Sequence, residues 1–233
     1  MDRLADASGR AFWMLVSGDP DLWQIVGISF GVSLRAILVA TPPALLIALI
    51  LAYSRLPGRR VAVGLFNTLL SLPTVVVGLL LYLLLSRSGP LGQWDLLFSR
   101  TAMVIGQVIL AFPILVAMGH SALQGADRRA WEAALTLGAS PWRAAFTLMR
   151  QVRFALLAAV IAAFGRIISE VGCAMMVGGN ILGYTRNITT AIALETSKGA
   201  FAQGIALGAV LMALALGLNA AMTLAQGRGE AGS

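Results

Sequence analysis

An all-α membrane protein with five transmembrane helices is the fold class this sequence predicts, on three observations. First, 58% of the residues are hydrophobic and only 12% charged, with mean hydropathy +0.85, outside the balance of a soluble globular chain. Second, five apolar segments approach or exceed the roughly 20 residues needed to cross a hydrocarbon core. Third, the arginines gather at the ends of those segments, where topology places them, and not on an aromatic-rich polar surface. Helix is the state each segment takes, because lipid offers no partner to a free backbone N–H or C=O.

The elements follow in order. Residues 1–22 carry Asp2, Asp6, Asp19 and Asp21 against Arg3 and Arg10, so they lack the basic start of a cleavable signal and read as a retained periplasmic segment. The expected spans are Trp23 to Tyr53, Val61 to Ser86, Thr101 to Leu123, Phe154 to Val177 and Phe201 to Ala225. Pro42, Pro43, Pro73 and Pro113 fall inside three of them and are expected to kink the helices against their neighbours. No internal repeat or Ser/Gly-rich linker divides the chain, so 23–225 is one membrane domain, followed by a frayed cytoplasmic tail, 226–233.

Charge sets the orientation. Arg55, Arg59, Arg60, Arg128, Arg129, Arg143, Arg150, Arg153 and Arg228 lie on one side, as expected for the cytoplasm. Arg3, Arg10, Arg87, Arg100, Arg186 and Lys198 lie on the other, offset by Asp2, Asp6, Asp19, Asp21, Asp95 and Glu195. An odd number of spans with the N-terminus out and the C-terminus in fits this bias.

Several chemistries are disfavoured. Cys173 and His120 are single copies, which leaves no disulfide framework or structural zinc set. Lys198 sits in Glu195-Thr196-Ser197-Lys198-Gly199, without the glycine that precedes a phosphate-loop lysine, so ATP is not expected to bind here. A nucleic-acid partner is not expected either. The spans hold no Ser/His/Asp, paired-Asp or metal constellation for an intramembrane enzyme. A proton-coupled secondary transporter needs a relay of buried acids, and the spans offer only Glu170, with His120 near an inner end.

The connection between the third and fourth spans is patterned as helix. Asp127 is a candidate N-cap, Glu132, Ala133 and Ala134 favour helix, Gly138 ends it, and Ala139-Ser140-Pro141 starts another. A helix-turn-helix over about 127–150 results, whose small residues admit a partner closely and whose arginines offer charge-assisted contacts. At Glu132-Ala133-Ala134-Leu135-Thr136-Leu137-Gly138 the chain resembles the permeases of bacterial ABC importers. The resemblance implies that Glu132, Ala133, Ala134 and Gly138 belong to a coupling helix that docks into a groove on a separate ATPase. The family pattern continues to a hydrophobic-x-Leu-Pro ending. Leu148-Met149-Arg150-Gln151 lacks that proline, so a different junction with the fourth span is expected.

The resemblance extends to Ser71-Leu72-Pro73-Thr74-Val75-Val76-Val77-Gly78 and to Gly165-Arg166-Ile167-Ile168-Ser169-Glu170-Val171-Gly172, which look like the oxyanion branch handling molybdate, sulfate and tungstate. The stretches from Ala174 to Ile181, Gly183 to Arg186 and Thr189 to Thr196 are most similar to the tungstate subgroup. What this implies is a type I ABC importer permease fold in a bacterial cytoplasmic (inner) membrane and a transport subunit that is not an enzyme. It also implies a homodimer of permeases in membrane lipid, ABC ATPases that bind ATP and Mg beneath it, and a periplasmic or lipid-anchored solute-binding protein above. No cofactor is expected in this chain.

Ionisable groups within apolar spans are costly and are default functional candidates. Arg35, Arg166 and Glu170 are of this kind, and Arg166 and Glu170, four residues apart, are expected to pair on one helix. Arg35 then either attracts a dianion or pairs with Glu170 across helices. With Ser169, these residues are candidates for the translocation pathway. Asn180, Thr185, Thr189 and Thr190 offer uncharged hydrogen-bonding groups for its mouth or a gate, against the ordinary alternative of loop capping.

Overall fold

The computed structural model describes residues 12–53, 57–126 and 128–230. Among these residues every regular element is helical. The helices are α1 (Pro20–Tyr53), α2 (Arg59–Leu69), α3 (Thr74–Leu85), α4 (Arg100–Gln124), α5 (Arg128–Thr136), α6 (Pro141–Gln151), α7 (Arg153–Ile168), α8 (Gly172–Gly178), α9 (Ile188–Ser197) and α10 (Phe201–Glu230), with one 3-10 turn at Gly92–Trp94.

Among the described residues three helices, α1, α4 and α10, are each long and apolar enough to cross a membrane. The count reaches five only if the bent pairs α2 with α3 and α6 with α7 are each taken as one span. The second expected span is therefore not a straight helix. Pro73 has no N–H to continue the ladder and holds Leu72 out of helical geometry. It sits extended at the N-cap of α3 and accepts from the Val76 and Val77 amides. The other prolines do not stop their helices: α1 runs unbroken through Pro42 and Pro43, and α4 through Pro113.

The fourth expected span is broken as well. α7 ends at Ile168 and α8 begins at Gly172, so Glu170 lies in the gap. The tail expected to fray from Gln226 is helical as far as Glu230.

Two units make up the fold. One draws on Met1–Ala36, Leu72–Val108 and Gly165–Gly217. Its core joins Leu22, Ile25 and Val26 of α1 to Ile188 and Ala191 of α9 and Ala206 and Leu207 of α10. The Ser29 hydroxyl accepts the Ile188 N–H at 2.7 Å, which fixes the start of α9 on α1. Close approach of α3 and α8 depends on Gly78, where an added Cβ would stand 2.8 Å from the Cys173 Cα.

The second unit draws on Ile37–Ser71, Ile109–Phe164 and Leu218–Ser233. Within it Ala40, Ala44 and Ala48 line one stripe of α1 at four-residue spacing, all fully buried. In lipid, helix association comes from close van der Waals contact, which small residues allow. Gly119 of α4 meets that stripe, its missing Cβ only 3.2 Å from the Ala48 Cβ.

Candidate functional site

The hairpin of α5 and α6 forms as its sequence predicts. The Leu137 and Gly138 amides bond back to the Ala133 and Leu135 carbonyls, and the Thr136 hydroxyl caps the Ala133 carbonyl at 2.9 Å. Gly138 then turns the chain at φ +83, a left-handed conformation that only glycine adopts without cost. Ser140 is extended at the next N-cap, with Pro141 pre-set for the first helical position. Asp127 lies outside the described residues, as does the side chain of Ala134.

One face of the hairpin is anchored and the other is bare. Ala144, Ala145 and Leu148 are buried, Ala145 against Ala48, Leu49 and Ala52 of α1. Tyr53, at the end of α1, stacks on Trp131 with centroids 4.7 Å apart and donates to the Leu123 carbonyl at 2.7 Å. Around the turn, Leu137 is 88% exposed, Trp142 71% and Phe146 65%. Glu132, Ala133 and Gly138 are exposed beside them. Large apolar side chains grouped at a helix turn on an arginine-rich face have the make-up of a protein-docking surface. At its far end α6 turns by 73° into α7 across Val152.

The second cluster is the break between α7 and α8. Here the structure corrects the expected Arg166–Glu170 pair. Glu170 is past the helix end and 3% exposed. Its two carboxylate oxygens accept the Cys173 and Ala174 amides, both at 3.2 Å, so it caps α8. A carboxylate at a helix N-terminus satisfies orphan donors and meets the positive end of the macrodipole. Those interactions serve Glu170 in place of a cation. The broken helix also rules out the i,i+4 geometry that pairing required.

The polar residues downstream complete the break. The Thr189 hydroxyl donates to the Glu170 carbonyl at 2.7 Å and also meets Asn187 Oδ1 at 3.0 Å. Asn187 and Thr190 form a reciprocal capping box that starts α9. Thr185 donates to the Gly178 carbonyl and accepts from the Ile181 amide, closing the turn after α8. Asn180 holds a left-handed conformation and sends its amide to the Thr190 carbonyl at 3.4 Å. Ser169, just past the end of α7, donates back to the Gly165 and Arg166 carbonyls of its last turn. Thr185, Thr189 and Thr190 are buried and Asn180 is half-exposed, so this set works as capping and turn chemistry within the chain.

The family model described as binding-protein-dependent transport system inner membrane component matches residues 44–226, a range that holds both clusters. The chain belongs to that family. Among the permease's relatives, the probable anion ABC transporter permease protein of Haloferax volcanii is 41% identical, over 89% of this chain and 93% of its own length. The tungstate uptake system permease protein TupB of Campylobacter jejuni is 39% identical over 94% and 92%. The molybdenum transport system permease protein ModB of Escherichia coli K12 is 32% identical over 76% and 81%. In fold, the permease is similar to a chain of an amino acid ABC transporter solved with histidines, with TM-score 0.67, 21% identity and 93% and 98% coverage. A chain of the inward-facing MetNI methionine ABC transporter gives 0.63, 16%, 92% and 97%. The expected type I ABC importer permease fold is therefore the one found. The permease is an inner membrane component of a transport system, and such subunits are not enzymes.

Two cations of the permease stand within apolar helices of the first unit. Arg35 on α1 and Arg166 on α7 are exposed, and among the described residues neither guanidinium meets a hydrogen-bond or ion-pair partner. Both belong to the first unit, with Glu170 and the capping cluster. Among the described residues no group of three His, Cys, Asp or Glu side chains could hold a metal.

The permease also uses polar residues that sequence reasoning passed over. Gln107, 4% exposed on α4, donates to the Ile167 carbonyl at 3.2 Å and so caps the end of α7. Glu195, 6% exposed, pairs with Lys198 at 3.1 Å and Arg186 at 3.8 Å. Arg100 donates to the Tyr184 carbonyl at 2.6 Å and lies over the Tyr184 ring. The spacing Asn187-Ile188-Thr189-Thr190 was the available signal for α9, as a capping box at the start of a short helix.

Proposed function

We propose that the chain is the membrane-spanning subunit of an ATP-driven importer for tungstate, acting as a homodimer around one translocation path. The observation that carries the coupling is the bare apolar turn of Leu137, Trp142 and Phe146 beside Glu132, Ala133 and Gly138. ABC ATPases that hold ATP and Mg dock there, and their closure moves the hairpin, which is anchored to α1 through Tyr53 and Ala145. The arginine bias supports a cytoplasmic position for this face, with the N-terminus out and the C-terminus in. A periplasmic or lipid-anchored solute-binding protein delivers the anion from the other side.

Tungstate is favoured over molybdate and sulfate by the relatives' names and identities. Arg35 and Arg166, unpaired within apolar helices, attract the dianion, and the polar cluster at Ser169, Glu170, Asn180, Thr189 and Thr190 shapes the gate that it passes. Weak, distributed contacts suit a path that must release its ion. Uptake of tungstate by cells carrying the whole system, in competition with molybdate and sulfate, tests the assignment. Tungstate is expected to outcompete both, and equal or stronger competition by molybdate or sulfate reassigns the substrate.

A further inference from the structure

Where α2 begins and α4 ends, the second unit holds a cleft of about 590 Å3 lined by Gly58, Arg59, Arg60, Val63, His120 and Gln124. Among the described residues its lining offers two guanidiniums, an imidazole and a carboxamide, and no carboxylate. Arg59 and Arg60 open α2, where the macrodipole already presents positive potential, and the first turn has no acidic residue. Gly58, the N-cap at φ 81, gives no side chain to the first amides of the helix. Among the described residues neither guanidinium has a partner, and His120 Nε2 is buried without one.

Two guanidiniums that no described residue answers, beside a buried Nε2 without a partner, make an anion-binding arrangement. Guanidinium forks match the tetrahedral oxygens of phosphate in pairs. Clefts of this volume take small ligands, and basic pockets at the ends of apolar helices take acidic headgroups. We propose that this cleft binds a phosphate-type oxyanion group, carried either by the headgroup of an acidic phospholipid or by a free phosphate ion. The site uses no residue of the bare coupling surface or of the α7–α8 break. It lies at the end of α4 that leads into α5, and the Leu123 carbonyl beside Gln124 is the one that Tyr53 grips, so an occupied cleft stiffens the base of the hairpin.

The test is the melting temperature of the purified full chain in nanodiscs of phosphatidylcholine. One arm exchanges part of that lipid for phosphatidylglycerol, and the other adds inorganic phosphate against chloride at matched ionic strength. The wild type is expected to gain roughly 2–4 °C in at least one arm. Arg59→Gln with Arg60→Gln is expected to lose at least half of that gain. A gain with phosphatidylglycerol alone assigns the headgroup, a gain with phosphate alone the free ion, and gains in both assign a site open to either source. No gain in either arm, or an equal gain in wild type and variant, overturns the site. If the double variant does not assemble, His120→Gln takes its place, with part of the gain expected to go and an undiminished gain counting against the site.

Discussion

The Thr189 hydroxyl donates to the main-chain carbonyl of Glu170 at 2.7 Å, tying the gap between α7 and α8 to the first turn of α9. The carboxylate of the same glutamate holds the Cys173 and Ala174 amides, so both the side chain and the main chain of Glu170 organise the break.

A capping role and an ion-pair role predict different mutant cycles. Glu170→Leu abandons two buried amides and is expected to cost about 1–3 kcal/mol, while Glu170→Gln keeps one acceptor and costs less. Arg166→Met, which removes no partner, is expected to leave the melting temperature nearly unchanged. The double variant Arg166→Met with Glu170→Leu is then as unstable as Glu170→Leu, additive within about 0.5 kcal/mol. Thermal melts of the four proteins in detergent decide it, and recovery of stability in the double variant would restore the ion pair.

Glycines at close contacts give a second prediction. A Cβ at Gly106 would stand 2.6 Å from the Cys173 Sγ, whereas one at Gly78 would stand 2.8 Å from the Cys173 Cα. Gly106→Ala is expected to cost about 1–3 kcal/mol and to be largely rescued by Cys173→Ala, which removes the clashing atom. Gly78→Ala is not rescued, because backbone cannot be trimmed. The readout is the yield of monodisperse protein and its melting temperature, and equal rescue of both overturns this account of the α3–α8 contact.

The docking surface gives a third. Leu137→Ser and Trp142→Asp change side chains that touch little of this chain, so the melting temperature should hold within a degree or so. Binding of the ATPase, measured by co-purification or by titration, is expected to weaken by about 30-fold or more for Trp142→Asp, the scale of a central aromatic anchor. Undiminished binding in both variants would move the interface elsewhere.

Orientation is tested directly by labelling. Ser88 and Ser140 are both exposed, and single cysteines there in a Cys173→Ala background are expected to react with an impermeant maleimide from opposite sides of the membrane. Reaction from the same side contradicts the arrangement read from the arginines.

How much the sequence disclosed depends on the kind of signal. The hairpin was legible in detail because its determinants are local: a helix-favouring run, a glycine at positive φ, and Ser140-Pro141 at a new N-terminus. The apolar segments at α1, α4 and α10 were legible for the same reason. The two broken segments were not, because hydropathy averages over a window and does not register where a ladder stops. Pro73 signalled a kink but not a full helix end. Glu170 looked like a charge stranded in a span because the two amides that occupy it belong to residues exposed only by the break. Gln107 donates to Ile167 on another helix, and Glu195 takes Arg186 from the preceding loop beside its i,i+3 partner Lys198; spacing encodes only the last of these contacts.

The central claim is that ATP hydrolysis on a separate subunit drives an oxyanion through this chain by way of the Gly138 hairpin. It is tested most directly by tungstate accumulation in proteoliposomes holding the permease, its ATPase and its binding protein, for wild type and Gly138→Val. Valine at φ +83 is strained, so the variant is expected to assemble yet lose at least about tenfold in ATP-dependent uptake. Wild-type uptake should require ATP inside the assay and be indifferent to an imposed proton gradient. Accumulation driven by a proton gradient without ATP, or full ATP-dependent uptake by Gly138→Val, would contradict the account.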